Sequence, residues 1–328
     1  MQIQNNVEKI NFPCGIRNFP DITDKISNGR STYEFEFPWI VAIFKNSSIE
    51  KHEFISSGTL IHPRLILTAA HIFDNYVDSN SAEEISIIDK YKNNLYVRSG
   101  DYDLSNTKES KGHQINIIDE IIIHPHFNRS ISLYDNDIAI LYLRDNFTFD
   151  YNVQSICLPP ENAIFNNKNC FTAGWGKNGR KKLGKYQNIL QVTETPVIEI
   201  NECKKRIYQY EKINRKNNKN SFLPINNDSV ICAGGKFNKN PCKGDNGSPL
   251  FCPIDNSINQ YYQVGVVSDA SNCNLEIPTF FTNIAFFRPW IDFIVTDAFN
   301  LKIDFYKYFL DEIEEDLTPT YQPKKYNF

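Results

Sequence analysis

Four short segments carry the side chains that could do chemistry, and they lie far apart in the chain. Residues 67–71 end in His71, residues 135–141 contain Asp137, residues 170–176 include a Gly-Trp-Gly run, and residues 242–250 carry Asn246. A histidine and an aspartate can act together as general base and orienting group when a hydroxyl or thiol nucleophile lies opposite them. The carboxamide of Asn246 has no oxygen that an imidazole could activate in this way.

These segments resemble, in their order and spacing, the motifs of the trypsin/chymotrypsin family of serine proteases. The last one reads Cys-Lys-Gly-Asp-Asn-Gly-Ser-Pro-Leu over residues 242–250, where the family pattern is Cys-x-Gly-Asp-Ser-Gly-Gly-Pro-Leu. The resemblance covers about residues 26–298 and implies that His71 is the general base and Asp137 its orienting group. It also places the oxyanion hole at Gly244 and Asn246. Because asparagine replaces the nucleophilic serine, we interpret His71 and Asp137 as vestigial, in a scaffold that binds and does not cut.

Ser248 provides the alternative in which the chain remains an active endopeptidase with an unusual nucleophile. It lies two residues beyond Asn246 in a loop that is expected to curve tightly. Its hydroxyl would have to point back at His71, and a displacement of about 1 Å already harms catalysis severely. The sequence therefore favours the non-catalytic interpretation.

The resemblance also implies where a primary substrate pocket would lie. Its floor falls at Asn240, one wall at Ser268, Asp269 and Ala270, and the opposite wall at Thr279. Trypsin-like members have an aspartate at the floor, which pairs with a Lys or Arg side chain, and a glycine in place of the threonine. An uncharged floor and a β-branched wall predict that the pocket rejects an arginine-sized group.

Short apolar segments separated by Gly, Pro and Asn predict an all-β fold. We expect two antiparallel six-stranded β-barrels, as in the trypsin family, followed by a C-terminal helix over residues 287–298. The predicted strands are 37–44, 59–61, 65–68, 95–98, 115–123 and 137–143, then 169–173, 190–198, 230–233, 249–251, 261–268 and 279–284. The helix is indicated by Trp290, Ile291 and Ile294, which share one helical face.

Composition excludes several classes of function. The formal net charge is -4 and the pI is about 5.9, which does not suggest a general nucleic-acid binder. No apolar run approaches the roughly 18 residues that a membrane span needs. We predict no cofactor and no metal, and we interpret the histidines of His124-Pro125-His126 as ordinary loop residues.

Eight dispersed cysteines favour structural disulfides and a secreted, extracellular protein. Residues 1–6 lack the apolar core of a signal peptide, so we expect a mature or truncated form. The family topology implies the pairs Cys14–Cys157, Cys170–Cys252, Cys203–Cys232 and Cys242–Cys273. Another bridge common in the family is missing, since its two positions hold Ser56 and Ile72.

The expected organisation is a pro-segment or linker over 1–25, a protease homology domain over 26–298 and a C-terminal extension over 299–328. The resemblance places an activation cleavage between Lys25 and Ile26. The new Ile26 ammonium would insert beside Asp245, and such a buried ion pair can act as a two-state switch.

The replaced nucleophile and the run Cys-Gly-Ile-Arg-Asn at residues 14–18 resemble the arthropod non-catalytic protease homologues. That resemblance implies regulation of an extracellular protease cascade, such as prophenoloxidase activation and melanisation, by binding a protease, a zymogen or a prophenoloxidase-like protein. A basic, Asn-rich stretch over residues 204–220 reads as a surface insertion and leaves open a glycan- or surface-binding module that takes sulfated glycans. Glycosylation sequons begin at Asn46, Asn128, Asn146 and Asn227.

Overall fold

The computed structural model describes most of the chain between residues 13 and 302. The described ranges are 13–18, 29–48, 51–76, 94–106, 109–132, 134–177, 185–214, 226–236, 240–257, 259–270, 273 and 276–302. The predicted cleavage site at Lys25 and Ile26, most of the predicted pro-segment and almost all of the C-terminal extension lie outside the described residues.

The first lobe is a closed antiparallel barrel whose strands alternate between two apolar faces. In β2, Val41 and Ile43 face the barrel interior, whereas Ile40, Ala42 and Phe44 belong to the large core that extends between the lobes. The strand order is β2-β3-β4-β7-β6-β5. These strands are β2 (Ile40–Ser48), β3 (Lys51–His62), β4 (Leu65–Thr68), β5 (Leu95–Ser99), β6 (Gln114–Ile123) and β7 (Ala139–Leu143).

The second lobe is an antiparallel sheet of eight strands in the order β1-β9-β8-β12-β13-β14-β11-β10. Its strands are β1 (Arg30–Ser31), β8 (Phe171–Gly174), β9 (Gln191–Glu194), β10 (Val197–Ile198), β11 (Val230–Gly234), β12 (Pro249–Pro253), β13 (Tyr261–Val267) and β14 (Pro278–Asn283).

The all-β, two-lobed prediction is confirmed, but the second lobe differs in strand number. Two strands of two residues each, β1 and β10, add to the six expected ones at the ends of the sheet. The predicted strand over 190–198 is divided because Thr195 and Pro196 separate β9 from β10. A proline cannot donate a ladder hydrogen bond, which favours a break at that point.

In the described ranges, helices lie at three places around the two lobes. A 3₁₀ turn, Ala70–Tyr76, follows β4, and α1 (Ile200–Asn214) follows β10. The closing helix α2 (Ile284–Phe293) continues as a π-helical stretch, Ile294–Ala298. The predicted C-terminal helix is thus present and begins three residues earlier than expected. The basic insertion is helical up to residue 214, and its remainder over 215–220 lies outside the described residues.

Within the described part of the chain, no helix combines the length and the apolar character needed to cross a membrane.

Four disulfides link distant parts of the described chain. They join Cys14 to Cys157, Cys170 to Cys252, Cys203 to Cys232 and Cys242 to Cys273, which are the pairs that the family resemblance implied. The bridge to Cys14 ties the segment over 13–18 to the body of the protein.

A buried charge cluster also holds that segment. The carboxylate of Glu36 is fully buried and accepts hydrogen bonds from the guanidinium Nε of Arg17 at 2.9 Å and from Arg30 Nη2 at 2.7 Å. Burial opposes ionisation of Glu36, but hydrogen bonds from Arg30 and Tyr33 together with the arginine charges lower its pKa below the usual range. Arg17 lies before residues 19–28 and Arg30 lies after them. The chain on both sides of the predicted cleavage site is therefore held by one carboxylate, that of Glu36.

Candidate functional site

His71 and Asp137 meet where the two lobes join. The 3₁₀ turn after β4 carries His71, whose Nδ1 lies 2.7 Å from Asp137 Oδ2, and its backbone amide donates to Oδ1 at 2.9 Å. Asp137 is fully buried, and the hydroxyl of Ser268 also donates to its Oδ2. Thr282 Oγ1 donates to the Asp137 carbonyl oxygen at 2.7 Å. One first-lobe carboxylate is therefore held by groups from both lobes.

The environment of His71 favours its protonated form. Burial lowers the pKa of the imidazole, but the charge of Asp137 and the hydrogen bond to it raise the pKa more, so the net pKa lies above the ordinary histidine value. This is the arrangement that an orienting aspartate produces for a general base. The two side chains alone cannot transfer an acyl group, because neither supplies an activated nucleophile opposite the imidazole.

Asn246 lies in the loop that leads into β12, and the first lobe fixes its backbone. Ser56 Oγ donates to the Asn246 carbonyl oxygen at 2.5 Å. Gly247 has a φ of 78° and packs so closely that an added Cβ would lie 2.2 Å from Thr68 Oγ1 and 2.5 Å from the Ser57 carbonyl oxygen. The loop therefore needs glycine at 247. Ser56, read from the sequence only as a replaced cysteine, attaches the loop to the first lobe by a hydrogen bond.

The hydroxyl of Ser248 is placed against the body of the second lobe. Ser248 is fully buried, and its Oγ lies 2.6 Å from the position that a Cβ on Gly174 would occupy. Asp245 Oδ1 lies 2.4 Å from the same position. The hydroxyl has no hydrogen-bond partner among the described residues. A group enclosed in this way offers no exposed oxygen to a substrate.

Gly244 and Asp245 directly precede Asn246 in the same loop. The Asp245 carboxylate accepts the amides of Gly176 and Cys242, each at 2.8 Å, and no cationic side chain of the described residues pairs with it. Burial raises its pKa to about 6, although the two amides act in the opposite direction. Gly244 has a φ of 102°, a backbone conformation that favours glycine. The oxyanion role assigned to Gly244 and Asn246 remains a prediction.

The predicted pocket floor is occupied by hydrogen bonds within the protein. Asn240 is buried, its Oδ1 accepts the Gly235 amide at 2.8 Å, and its Nδ2 donates to the Ile277 carbonyl at 2.8 Å. The side chain thus bridges the chain after β11 and the chain before β14. Thr279 in β14 is fully buried and pairs with Ala233 across the sheet.

The residues of the predicted pocket wall over 268–270 differ in burial. Ser268 and Ala270 are buried and Asp269 is half-buried. Since the Ser268 hydroxyl is engaged with Asp137, it supports the catalytic pair as well as the wall. A cavity of about 410 Å³ lies elsewhere, between residues 162–166, α1 and the start of α2, and its lining includes none of the predicted catalytic or pocket residues.

One group of potential metal ligands exists among the described residues. Ligand atoms of Asp101, Glu109 and His113 lie within 4.8 Å of one another. The guanidinium of Arg98 pairs with Asp101 and already provides a positive charge at that carboxylate. We assign no ion to this group.

Comparison with known proteins identifies the family. The family model described as Trypsin matches residues 26–291, which is most of the chain. The chain belongs to the trypsin family.

Similar members of the trypsin family include proteins named as inactive and others that are not. "Inactive CLIP domain-containing serine protease A8" of Anopheles gambiae is 33% identical over 297 residues, covering 89% of this chain and 74% of that protein. "Phenoloxidase-activating factor 2" of Galleria mellonella is 34% identical over 294 residues, covering 85% and 88%. "CLIP domain-containing serine protease B4" of Anopheles gambiae is 30% identical over 290 residues, covering 85% and 71%.

We predict that Asp137→Asn lowers the pKa of His71. The substitution removes the charge that offsets burial, so burial then dominates and favours the neutral imidazole. The measurement is an NMR titration of the His71 ring protons in both proteins. Asp74→Asn is the matched control, because Asp74 contributes a smaller charge effect in the same direction. An equal or larger shift in the control would contradict the assignment.

We also predict that Asp245 destabilises the uncut protein as the pH rises. An unfolded aspartate has a pKa near 3.9, whereas that of folded Asp245 is about 6. Its stabilising contribution is therefore complete below about pH 4 and is lost as the pH rises through 6, a change of about 3 kcal/mol. Urea unfolding at several pH values measures it. Asp245→Asn should remove this part of the pH dependence, whereas Asp255→Asn, at an exposed carboxylate, should not. Identical pH profiles for the wild type and Asp245→Asn would refute the prediction.

Proposed function

We propose that this protein is a secreted, catalytically inactive serine protease homologue that regulates an extracellular protease cascade by binding. The observation that carries the proposal is Asn246, which replaces the nucleophile while His71 and Asp137 keep their 2.7 Å contact. An amide cannot be converted into an attacking alkoxide, so the base has no hydroxyl to activate at that position.

The remaining hydroxyl of the loop supports the same conclusion. Ser248 would have to expose its Oγ toward His71 to act as a substitute nucleophile. Instead, this oxygen is enclosed beside Gly174 and Asp245. Moving it toward His71 would require rearrangement of a loop whose Gly247 amide and Ser248 carbonyl oxygen are both hydrogen-bonded to the backbone of Val267 in β13.

The pocket gives a second, independent reason to favour binding over cleavage. A Lys or Arg side chain in a buried pocket needs an opposite charge, and Asn240 offers a neutral amide already bonded to two backbone groups. Thr279 adds a β-branched side chain where trypsin-like enzymes have room for the substrate.

The partner that we propose is a protein, either a protease, a zymogen or a prophenoloxidase-like protein. The names of two similar proteins support this: one is called an inactive CLIP domain-containing serine protease and the other a phenoloxidase-activating factor. Four disulfides fit an oxidising, extracellular location. Three of the four sequons begin at exposed asparagines (Asn128, Asn146 and Asn227), which fits a glycoprotein, whereas Asn46 is half-buried.

We further infer that cleavage between Lys25 and Ile26 would switch the conformation of the Asn246 loop. Asp245 has no cation among the described residues, so an ammonium would relieve a buried charge. In the sheet, Arg30 of β1 is paired with Val192 of β9, and Val192 is paired with Ala173 of β8. Two strand spacings, about 10 Å, therefore separate Arg30 from Ala173. The four residues from Ile26 to Arg30 can span about 14 Å when extended, which is enough to reach this region.

A sulfated-glycan function has weaker support. In α1, Arg206 is paired with Glu202 at 2.9 Å and Lys204 donates to Asn227, so part of the basic set is already engaged.

We predict that Asn246→Ser alone does not restore efficient cleavage after Arg or Lys. The new hydroxyl would face His71, but Asn240 and Thr279 would still reject the substrate side chain. Hydrolysis of an arginine anilide, together with labelling by an active-site phosphonate, measures the outcome. The matched comparison is Asn246→Ser with Asn240→Asp and Thr279→Gly, which should be the more active protein. Tryptic turnover by the single variant would show that the pocket argument is wrong, and labelling of the wild type would show that the protein is an enzyme.

Affinity capture from the native fluid tests the regulatory function itself. We expect the protein to retain a protease, a zymogen or a prophenoloxidase-like protein, and to retain it differently before and after cleavage at Lys25. Asn246→Ala should capture the same partner, because binding does not require the amide. Failure of both the cut and the uncut protein to retain any cascade protein would contradict the proposal.

A further inference from the structure

We propose that Lys177, Lys185, Tyr186 and Lys243 form a docking surface for an acidic, extended segment of a protein partner. We call these four residues the cleft-side basic surface, because Lys243 directly precedes Gly244 in the Asn246 loop. The inference rests on the proposed function, and it names both the surface and the chemistry of the partner.

Backbone contacts bring the four residues together from two separate parts of the chain. The Lys177 amide donates to the Lys243 carbonyl oxygen at 2.9 Å. Lys177 and Tyr186 form an isolated antiparallel β-bridge, and the Lys177 ammonium lies 5.0 Å from the centre of the Tyr186 ring. The Lys177 ammonium therefore lies at the ring, and the backbones of Lys185 and Lys243 lie beside it, next to the residues that lead to Asn246.

Tyr186 is a fixed and exposed aromatic anchor. Its ring packs on Gly244 so closely that an added Cβ there would lie 2.5 Å from Tyr186 Cε1. Phe54 contacts it edge-on at 5.7 Å and also packs against the fully buried Trp175. The tyrosine nevertheless remains 42% exposed. A rigid ring that is exposed on one side loses little entropy on binding, which is typical of interface anchors.

Positive charge predominates among the described residues around this ring. Among the described residues, none of the three lysines forms an ion pair with a carboxylate, and Lys185 and Lys243 are exposed. Glu53 is close enough for its charge to contribute to a raised Tyr186 pKa, although burial is the larger cause. The protein as a whole carries a net charge of -4, so this local excess of positive charge is unlike its average surface.

The composition of the surface identifies the partner. Three lysines whose backbones lie beside an exposed aromatic ring fit a chain that carries an apolar side chain among carboxylates, which is an acidic peptide segment. A sulfated glycan would supply the charge but no apolar group for Tyr186. Because the surface adjoins Gly244, an occupant would also lie beside the vestigial site.

The first experiment measures binding of a fluorescein-labelled peptide made of Asp and Glu around one central Leu, by fluorescence anisotropy at low salt. Replacing the three lysines together by Lys177→Gln, Lys185→Gln and Lys243→Gln should weaken binding about tenfold, since each exposed pair contributes modestly. Tyr186→Ala should weaken it separately, and a peptide with Asn and Gln in place of the acids should not bind.

The matched control removes the same charge from α1 through Lys204→Gln, Lys205→Gln and Lys212→Gln, and it should change the affinity by less than about twofold. Equal losses in the two triple variants would overturn the proposal, because only net charge would then matter. The proposal would also be overturned if a heparin oligosaccharide displaced the peptide, bound more tightly than the peptide, and kept its affinity in the Tyr186→Ala variant.

Capture from the native fluid separates this inference from the proposed function. If the wild type and the cleft-side triple variant retain a cascade protein equally, the docking surface is wrong and the regulatory function stands. If neither protein retains a cascade protein, the proposed regulatory function is wrong. The peptide-binding experiment then still tests the docking surface. Loss of capture in the cleft-side variant alone would support both.

Discussion

The buried carboxylate of Asp137 is the interaction on which the arrangement of the site depends. It accepts hydrogen bonds from His71 in the first lobe and from Ser268 in the second, and its own carbonyl accepts from Thr282 in β14. A fully buried charge is costly unless its lone pairs are satisfied. Groups from both lobes satisfy it, and the Ser56 hydroxyl of the first lobe also binds the Asn246 loop of the second.

The histidine and the aspartate thus have a structural role that does not depend on a nucleophile. In an active trypsin-family enzyme the pair serves proton transfer, and here the contacts of Asp137 also join the two lobes. The loop is attached on the other side through Ser56 and Gly247. A scaffold that is rigid at this point can present the cleft and its surroundings as a binding surface, because little has to be ordered when a partner binds.

Many features of the fold could be predicted from the sequence because they depend on local patterns. Short apolar segments bounded by Gly, Pro and Asn located nearly all of the described strands, and the apolar face of Trp290, Ile291 and Ile294 located the closing helix. The helical form of residues 200–214 was missed, since a basic, Asn-rich composition indicates a surface position and not a backbone conformation. The strand β1 was missed because two residues carry no periodicity, and the break that divides the predicted strand over 190–198 into β9 and β10 was not predicted.

The sequence by itself determined the chemistry of the site: the residue at 246 is an amide, the residue at 240 is neutral, and eight cysteines are available for disulfides. Only the tertiary structure decided where these groups point. It enclosed the Ser248 hydroxyl beside Gly174, left Asp245 without a cation among the described residues, and placed Tyr186, with the Lys177 ammonium over its ring, against Gly244. The type of a residue determines which chemistry its side chain can do. Whether that side chain is buried or exposed depends on contacts with segments that are distant in the sequence, and a local sequence pattern does not predict those contacts.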